Sequence, residues 1–180
     1  MTRQTHLRIS GFLTLICVTC AQALASPVRV TPTGAIAQQV RNDAQNIGDI
    51  RFTAPDYKPG IIRHVVLFRF KSHATQAERN EVTRRFVALA ERSRRPDGSA
   101  VVISIETGPQ ISGENADLGL EQGYLVTFRS QGDRNFYVGR PIVTNSHCFD
   151  PAHDAFKSFA GPYLDRVIVF DFPVEGGHPP

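Results

Sequence analysis

The sequence predicts an α+β domain of the ferredoxin-like, split βαβ type, in which helices cover one side of a four-stranded antiparallel sheet. Two observations lead to this fold class. Between residues 61 and 172 the apolar patterns follow the order strand, helix, strand, strand, helices, strand. A capping-box pair, Thr75 and Glu78, marks a helix start shortly after the first strand. The 180 residues leave room for one such domain with extensions.

The first predicted strand covers residues 61–70, where β-branched and aromatic residues alternate with others. Successive side chains of a strand point to opposite sides of the sheet. One side therefore carries Ile62, His64, Val66, Phe68 and Phe70, and the other carries Ile61, Arg63, Val65, Leu67 and Arg69. His64 is thus a polar ring on an otherwise apolar face, and it needs a hydrogen-bond partner if it is buried.

The first predicted helix follows this strand. Val82, Phe86 and Leu89 recur at helical spacing and form one apolar stripe. The helix ends before the turn at residues 96–98, where Pro-Asp-Gly breaks the pattern.

Two strands come next along the chain. Residues 101–107 predict the second strand, with Val101, Ile103 and Ile105 on one face. A long polar loop separates it from the third strand at residues 124–129, where alternation resumes.

The remaining elements complete the predicted sheet. A mixed helical region covers residues 132–163 and is interrupted by Pro141 and Pro151. Residues 166–172 form the last strand, and the Gly- and Pro-rich tail from Pro173 does not continue it.

Four segments are therefore expected along the chain. They are a signal peptide over residues 1–25, an N-terminal extension or linker over 26–60, the folded domain over 61–173 and a C-terminal tail over 174–180. The extension is rich in proline and polar residues, and one weak helix is expected in it near residues 35–46.

The signal peptide is predicted from three features of the N-terminus. Arg3 and Arg8 precede a short apolar run at residues 11–20, and Ala23-Leu24-Ala25 supplies the small residues of a cleavage site. The run is too short to span a bilayer, so no stable membrane anchor is expected. Cleavage after Ala25 would place the protein in the periplasm or outside the cell.

Charge excludes one class of function. The whole chain has 20 basic and 17 acidic residues, and removal of Arg3 and Arg8 with the signal leaves 18 against 17, a net charge of +1. A nearly neutral mature chain lacks the basic surplus of nucleic-acid-binding domains. No nucleic-acid partner is expected.

The three cysteines raise two questions. A lipoprotein signal is the alternative to simple cleavage, because Cys17 and Cys20 lie near the cleavage site. Neither cysteine follows the usual lipidation pattern. Cleavage leaves Cys148 alone, so the mature chain has no intramolecular disulfide. Cys148 is either a buried small hydrophobe or a reactive thiol.

The predicted sheet implies an assembly. Helices cover only one face of a four-stranded sheet in this topology, and the other face still carries apolar residues. Pairing of two such faces in a homodimer would bury them.

Four blocks of sequence resemble the stress-responsive A/B-barrel (Dabb) family, whose members form dimeric α+β barrels. The blocks are residues 63–70, 121–130, 150–156 and 167–172, in the family's order. Asp150 departs from the first His of the family's His-Pro-x-His block, and residues 138–149 form an extra segment before it.

The resemblance implies candidate catalytic residues. One member of the family closes a polyketide ring without a cofactor, and its catalytic Tyr and His correspond to Tyr137 and His153, with the closing-strand Asp at Asp171. In such a trio the imidazole takes a proton next to a carbonyl, the carboxylate supports the imidazolium, and the Tyr hydroxyl donates to the enolate oxygen. Alternatively, His153 braces the helix that begins after Pro151.

His64, Phe68 and Phe156 are the residues expected to line a ligand pocket. The alternative for His64 is a satisfied histidine in the core or at an interface.

The donors His147, Cys148, Asp150, His153 and Asp154 also suggest a metal site. Their spacing matches no closed-site motif, so no metal and no cofactor are predicted.

The function expected from the sequence is that of an exported, dimeric A/B-barrel domain that binds a small apolar ligand. One alternative is a cofactor-free, cyclase-like enzyme that uses His153 and Tyr137. Another is an interaction protein whose N-terminal extension docks a partner.

Overall fold

The structure, a computed structural model, describes residues 34–175. The predicted signal peptide at residues 1–25 lies outside the described residues, as do the start of the extension and most of the C-terminal tail. Within residues 34–175 no helix is long and apolar enough to cross a bilayer.

The chain forms a four-stranded antiparallel sheet with helices on one side. The helices are α1 (Ala35–Phe52), α2 (Gln76–Val87), α3 (Leu89–Arg92), α4 (Gln131–Val138) and α5 (Pro151–Ala160), and the strands are β1 (Pro59–Phe70), β2 (Ser104–Pro109), β3 (Gln122–Ser130) and β4 (Leu164–Pro173). The strand order β2-β3-β1-β4 is that of the ferredoxin-like fold. The predicted fold class is confirmed.

Strand β1 lies in the middle of the sheet and separates its two faces. Its predicted alternation is confirmed, because Ile62, His64, Val66, Phe68 and Phe70 are all buried against the helices. On β3 and β4, the residues directly opposite His64 are Val126 and Asp171. Cross-strand neighbours point to the same side of a sheet, so Asp171 also faces the helices.

Helix α2 begins at the predicted capping box. The Thr75 hydroxyl accepts from the Glu78 amide, and the Glu78 carboxylate accepts from the Thr75 amide. The buried side of α2 carries Val82 and Phe86, which pack on the sheet with Leu89 of α3.

Strand β2 differs from its prediction. It begins at Ser104, and the shared face predicted for Val101, Ile103 and Ile105 is wrong. The Val101 amide donates to the Ser93 carbonyl outside the ladder, which buries Val101 under the helices and leaves Ile103 exposed. Alternation requires an extended strand, and the chain bends before Ser104.

Helix α1 covers the expected residues 35–46, continues past a kink at Gly48 to Phe52, and packs on the domain. Its residues Ala44 and Phe52 join Tyr57, Val143 and Phe149 in a second apolar cluster. The side-chain amide of Asn135 in α4 donates to the Phe52 carbonyl at 2.8 Å.

A buried ion pair fastens the end of α1 to α4. The Arg95 guanidinium donates to the Asp133 carboxylate at 2.6 Å and to the Thr53 carbonyl at 2.9 Å. Both charged side chains are largely buried. Because each group has its partners, the pair can hold three segments together without an unpaired buried charge.

The segment between α4 and α5 is folded against α1. Val143, Cys148 and Phe149 are buried in the second cluster. Burial raises the pKa of the Cys148 thiol, and Asp49 adds to this effect. The position of Cys148 agrees with its interpretation as a small buried hydrophobe.

Candidate functional site

A cavity of ≈ 400 Å³ lies between the helix-facing side of the sheet and helix α5. The residues around it come from β1, α2, the end of α4, α5 and β4. Val167 and Val169 of the edge strand β4 are about half exposed and lie at its mouth, whereas the β1 side chains at its floor are buried.

The three residues expected to contact a ligand all line this cavity. His64 and Phe68 come from β1 and Phe156 comes from α5. Phe156 meets the ring of Phe86 edge-on, with ring centres 5.2 Å apart. His153 also lines the cavity, so two imidazoles meet an otherwise largely aromatic and aliphatic wall.

His64 is held by Asp171 across the strand pair. The His64 Nδ1 atom and the Asp171 carboxylate are 2.5 Å apart, and Arg134 of α4 binds the other carboxylate oxygen at 3.1 Å. Burial acts to raise the pKa of Asp171, but the hydrogen bond and charge of His64, with the charge of Arg134, hold it below its usual value. Asp171 is therefore a carboxylate, and it favours the His64 tautomer with the proton on Nδ1.

His153 makes a different contact. Its Nδ1–H donates to the Tyr137 carbonyl at 2.7 Å, and its ring stacks on the Tyr137 ring with centres 3.9 Å apart. Burial, assisted by the positive charge of Lys157, lowers the pKa of His153 to about 3. His153 is thus neutral near pH 7 and fixes α5 to α4, which agrees with the brace interpretation.

Tyr137 lies behind His153 and outside the cavity. Its side chain is fully buried, and its hydroxyl has no partner within residues 34–175. Burial, with a contribution from Asp150, raises the pKa of Tyr137 well above its usual value. The hydroxyl stays protonated and does not reach the cavity.

The expected trio of His153, Tyr137 and Asp171 does not form one hydrogen-bonded unit, although the Tyr137 ring also meets the His64 ring edge-on, with ring centres 5.9 Å apart. His153 stacks on Tyr137 on the helix side, whereas Asp171 pairs with His64 on the sheet. Asp171 is the direct cross-strand neighbour of His64, and Tyr137 points into the core of the domain. The catalytic roles of these residues remain predictions.

Asp150 has a structural contact. Its carboxylate caps helix α5 by accepting from the Ala152 amide at 2.8 Å. Burial raises the pKa of Asp150 above its usual value. Asp150 lies behind Tyr137 and does not line the cavity.

The structure adds two cationic residues that sequence reasoning missed. Arg140 and Lys157 both line the cavity beside His153. Lys157 lies one helical turn after His153, and residues four apart share one face of a helix. That spacing could have predicted that Lys157 lies beside His153, whereas nothing in the sequence indicated that Arg140 lines the same cavity.

The suggested metal donors do not come together. Within residues 34–175 no group of three or more His, Cys, Asp and Glu side chains is arranged to hold a metal ion. His147 is exposed while Cys148 is buried.

Comparison with known proteins gives a family match. The model of the family described as the Stress responsive A/B Barrel Domain matches residues 62–174. No curated protein sequence matches the chain.

Two of the solved structures that resemble this chain illustrate the shared fold. The protein At3g17210 of Arabidopsis thaliana is 23% identical, with a TM-score of 0.52, and the match covers 65% of this chain and 98% of that one. The hydroxynitrile lyase of Passiflora edulis is 22% identical, with a TM-score of 0.51, over 67% of this chain and 99% of that one. At these identities the similarity concerns the fold.

The depressed pKa of His153 predicts a pH-dependent stability. The unfolded chain binds a proton at His153 near pH 6.5, whereas the folded protein does so only near pH 3. This contribution to stability is complete above pH 6.5 and is lost as the pH falls towards 3. We expect His153→Asn to lose less stability than wild type between pH 7 and pH 4.5, as measured by urea unfolding.

The matched control is His73→Asn, which changes an exposed histidine away from the cavity. It should retain the wild-type difference between the two pH values. Equal losses in wild type and His153→Asn would contradict the assignment of a neutral, buried His153.

Proposed function

Since the chain belongs to the stress responsive A/B barrel domain family, we propose that it is an exported homodimer that binds a small, mainly apolar ligand. The cavity between β1 and α5 carries this proposal, because it lies where the residues expected to contact a ligand meet.

The cavity has the size and chemistry of a small-molecule site. Its ≈ 400 Å³ lies within the range of about 300–1,000 Å³ that is common for such sites. Apolar side chains make up most of the wall, and His64 and His153 supply polar groups at fixed positions. A few convergent polar groups in an apolar wall are typical of sites that orient one ligand.

The His64–Asp171 pair favours proton abstraction as a second candidate function. With the Nδ1 proton directed at the carboxylate, His64 Nε2 keeps a lone pair that can take a proton from a carbon next to a carbonyl. The imidazolium formed would be stabilised by Asp171, which Arg134 holds in place. His64 thus takes the place of His153 as the base in this alternative, because its ring is the one paired with the Asp171 carboxylate.

The homodimer is supported by the open face of the sheet. Side chains on this face include Val65, Leu67, Leu125, Ile168, Phe170 and Phe172. Phe170 is 63% exposed, and its ring lies 6.0 Å from that of Phe172. A contiguous apolar sheet face is a typical interaction surface, and a second copy offers a matching one.

Export is proposed from the sequence of residues 1–25. Arg3, Arg8, the apolar run and Ala23-Leu24-Ala25 support cleavage after Ala25. Intact-mass measurement of the exported protein should then give Ser26 as its first residue, and a cytoplasmic product that retains the leader would contradict it.

Ligand binding can be tested at the mouth of the cavity. We expect Val167→Trp to lower the affinity for 2-naphthylmethanol about tenfold or more in calorimetric titration, because the indole would fill the space beside α5. Val167 is 47% exposed, so the change should not disturb the core. Ile103→Trp, at an exposed position away from the cavity, is the control, and equal affinities in both variants would reject this site.

Proton abstraction can be tested by deuterium exchange. If His64 is a base, the wild-type protein should accelerate exchange of the α-protons of 2-tetralone in D₂O, followed by proton NMR. His64→Ala should remove most of this acceleration, as general-base catalysis typically contributes about 10²–10⁴-fold. His73→Ala should keep it, and an acceleration that survives in His64→Ala would reject the dyad as the base.

The dimer can be tested with a charge on the open face. Phe170→Glu and Val65→Glu should yield monomers in light scattering, because a carboxylate would be buried without a partner. Val66→Glu is unsuitable, since Val66 is buried against the helices. Val87→Glu, which places the same charge on α2, should leave the dimer intact, and a monomeric wild type at micromolar concentration would contradict the assembly.

A further inference from the structure

All titratable side chains that line the cavity are basic. They are His64, Arg140, His153 and Lys157, and no Asp or Glu lines it among the described residues. Two nearby carboxylates do not line the cavity: Asp171 binds His64, and Asp154 binds Arg140. The cavity therefore offers a ligand two cations, Arg140 and Lys157, and no carboxylate of residues 34–175 competes with an anion at its surface.

The two cations of the cavity wall, Arg140 and Lys157, differ in how completely a carboxylate neutralises their charge. Arg140 forms a two-point pair with the Asp154 carboxylate, with its Nε atom 3.2 Å from Oδ1. Within residues 34–175 no carboxylate lies within hydrogen-bond distance of Lys157, and its ion pair with Asp154 is long, at 3.8 Å. Lys157 is thus the cation of the cavity wall whose charge is least compensated.

The Lys157 ammonium is nevertheless fixed in position. It donates to the Val138 carbonyl at 2.9 Å and to the Arg140 carbonyl at 3.0 Å. An ammonium has three donors, so one remains for another acceptor. Burial lowers the pKa of Lys157 below its usual value, although Asp154 acts in the opposite direction. An anion next to this group would offset the cost of its partial burial.

Resting on the ligand-binding function proposed above, we propose that the ligand is a small carboxylate whose carboxylate group pairs with Lys157. Its aromatic or aliphatic body lies against the rings of Phe68, Phe86 and Phe156. Hydrogen bonds between an ammonium and a carboxylate are stronger than those between neutral groups. Lys157 is therefore the residue that sets the preference for an anionic ligand over a neutral one of the same shape.

A matched pair of probes tests this preference. 2-Naphthoate and 2-naphthylmethanol have similar apolar bodies and differ in charge, and both fluoresce. The chain has no tryptophan, so the background signal of the protein is small. Wild type should bind 2-naphthoate on the order of tenfold more tightly, the ratio that one charged hydrogen bond supplies.

Three variants separate the charge of Lys157 from other effects. Lys157→Met should lose the preference for naphthoate while it keeps the affinity for naphthylmethanol. Lys157→Arg should keep the preference, because it retains a cation at the same place. Lys71→Met removes a positive charge away from the cavity and should behave as wild type. Thermal unfolding of each variant establishes that it is folded under the conditions of the titration.

Each outcome decides one of the two proposals. If both probes bind wild type equally, or if Lys157→Met weakens both alike, the carboxylate preference is rejected while the ligand-binding function stands. If neither probe binds wild type, the proposed function fails together with the inference. Loss of the preference in Lys71→Met as well would assign it to the overall charge and reject the role of Lys157.

Discussion

The position of β1 in the middle of the sheet, with strictly alternating side chains, is the constraint on which the rest of the structure depends. Strands β3 and β4 pair with it on either side, so the direction of each β1 side chain determines which residues of the neighbouring strands share its face. One face receives the helices and contains the cavity. The other face remains open and presents the exposed rings of Phe170 and Phe172. A one-residue shift of register would exchange these two faces.

The same alternation places a titratable group in the cavity wall and gives it a partner. His64 faces the helices, and its direct neighbour on β4 is Asp171. Because Arg134 binds the second carboxylate oxygen, the carboxylate is satisfied from two sides. His153 is satisfied differently, by a carbonyl and a stacked ring, and burial keeps it neutral. Two histidines in one wall thus have different chemistry, since one faces a carboxylate and the other faces a peptide dipole.

Helix α1 and the segment after α4 pack beside α4, the helix that adjoins the site. Helix α1 precedes residues 62–174, the part that the family model matches, and the segment after α4 folds against α1 in the second apolar cluster. The buried Arg95–Asp133 pair joins α4 to the end of α1. As a result α4 is held from both sides, and Tyr137 on it points into the core behind His153. The end of α4 meanwhile leads to Arg140 at the cavity wall.

The sequence by itself determined the order of the elements, the two faces of β1 and the capping box of α2, because these depend on residues that are close along the chain. It also indicated His64, Phe68 and Phe156 as neighbours of one pocket. Only the tertiary structure decided that Asp171 binds His64 instead of His153. That choice depends on the pairing of β1 with β4, which brings together two residues 107 positions apart in the chain. It also decided that β2 begins after a bend, which removed Val101 from the strand. The tertiary structure likewise decided that Arg140 and Lys157 lie at the cavity, because the cavity forms only when α5 packs over the sheet.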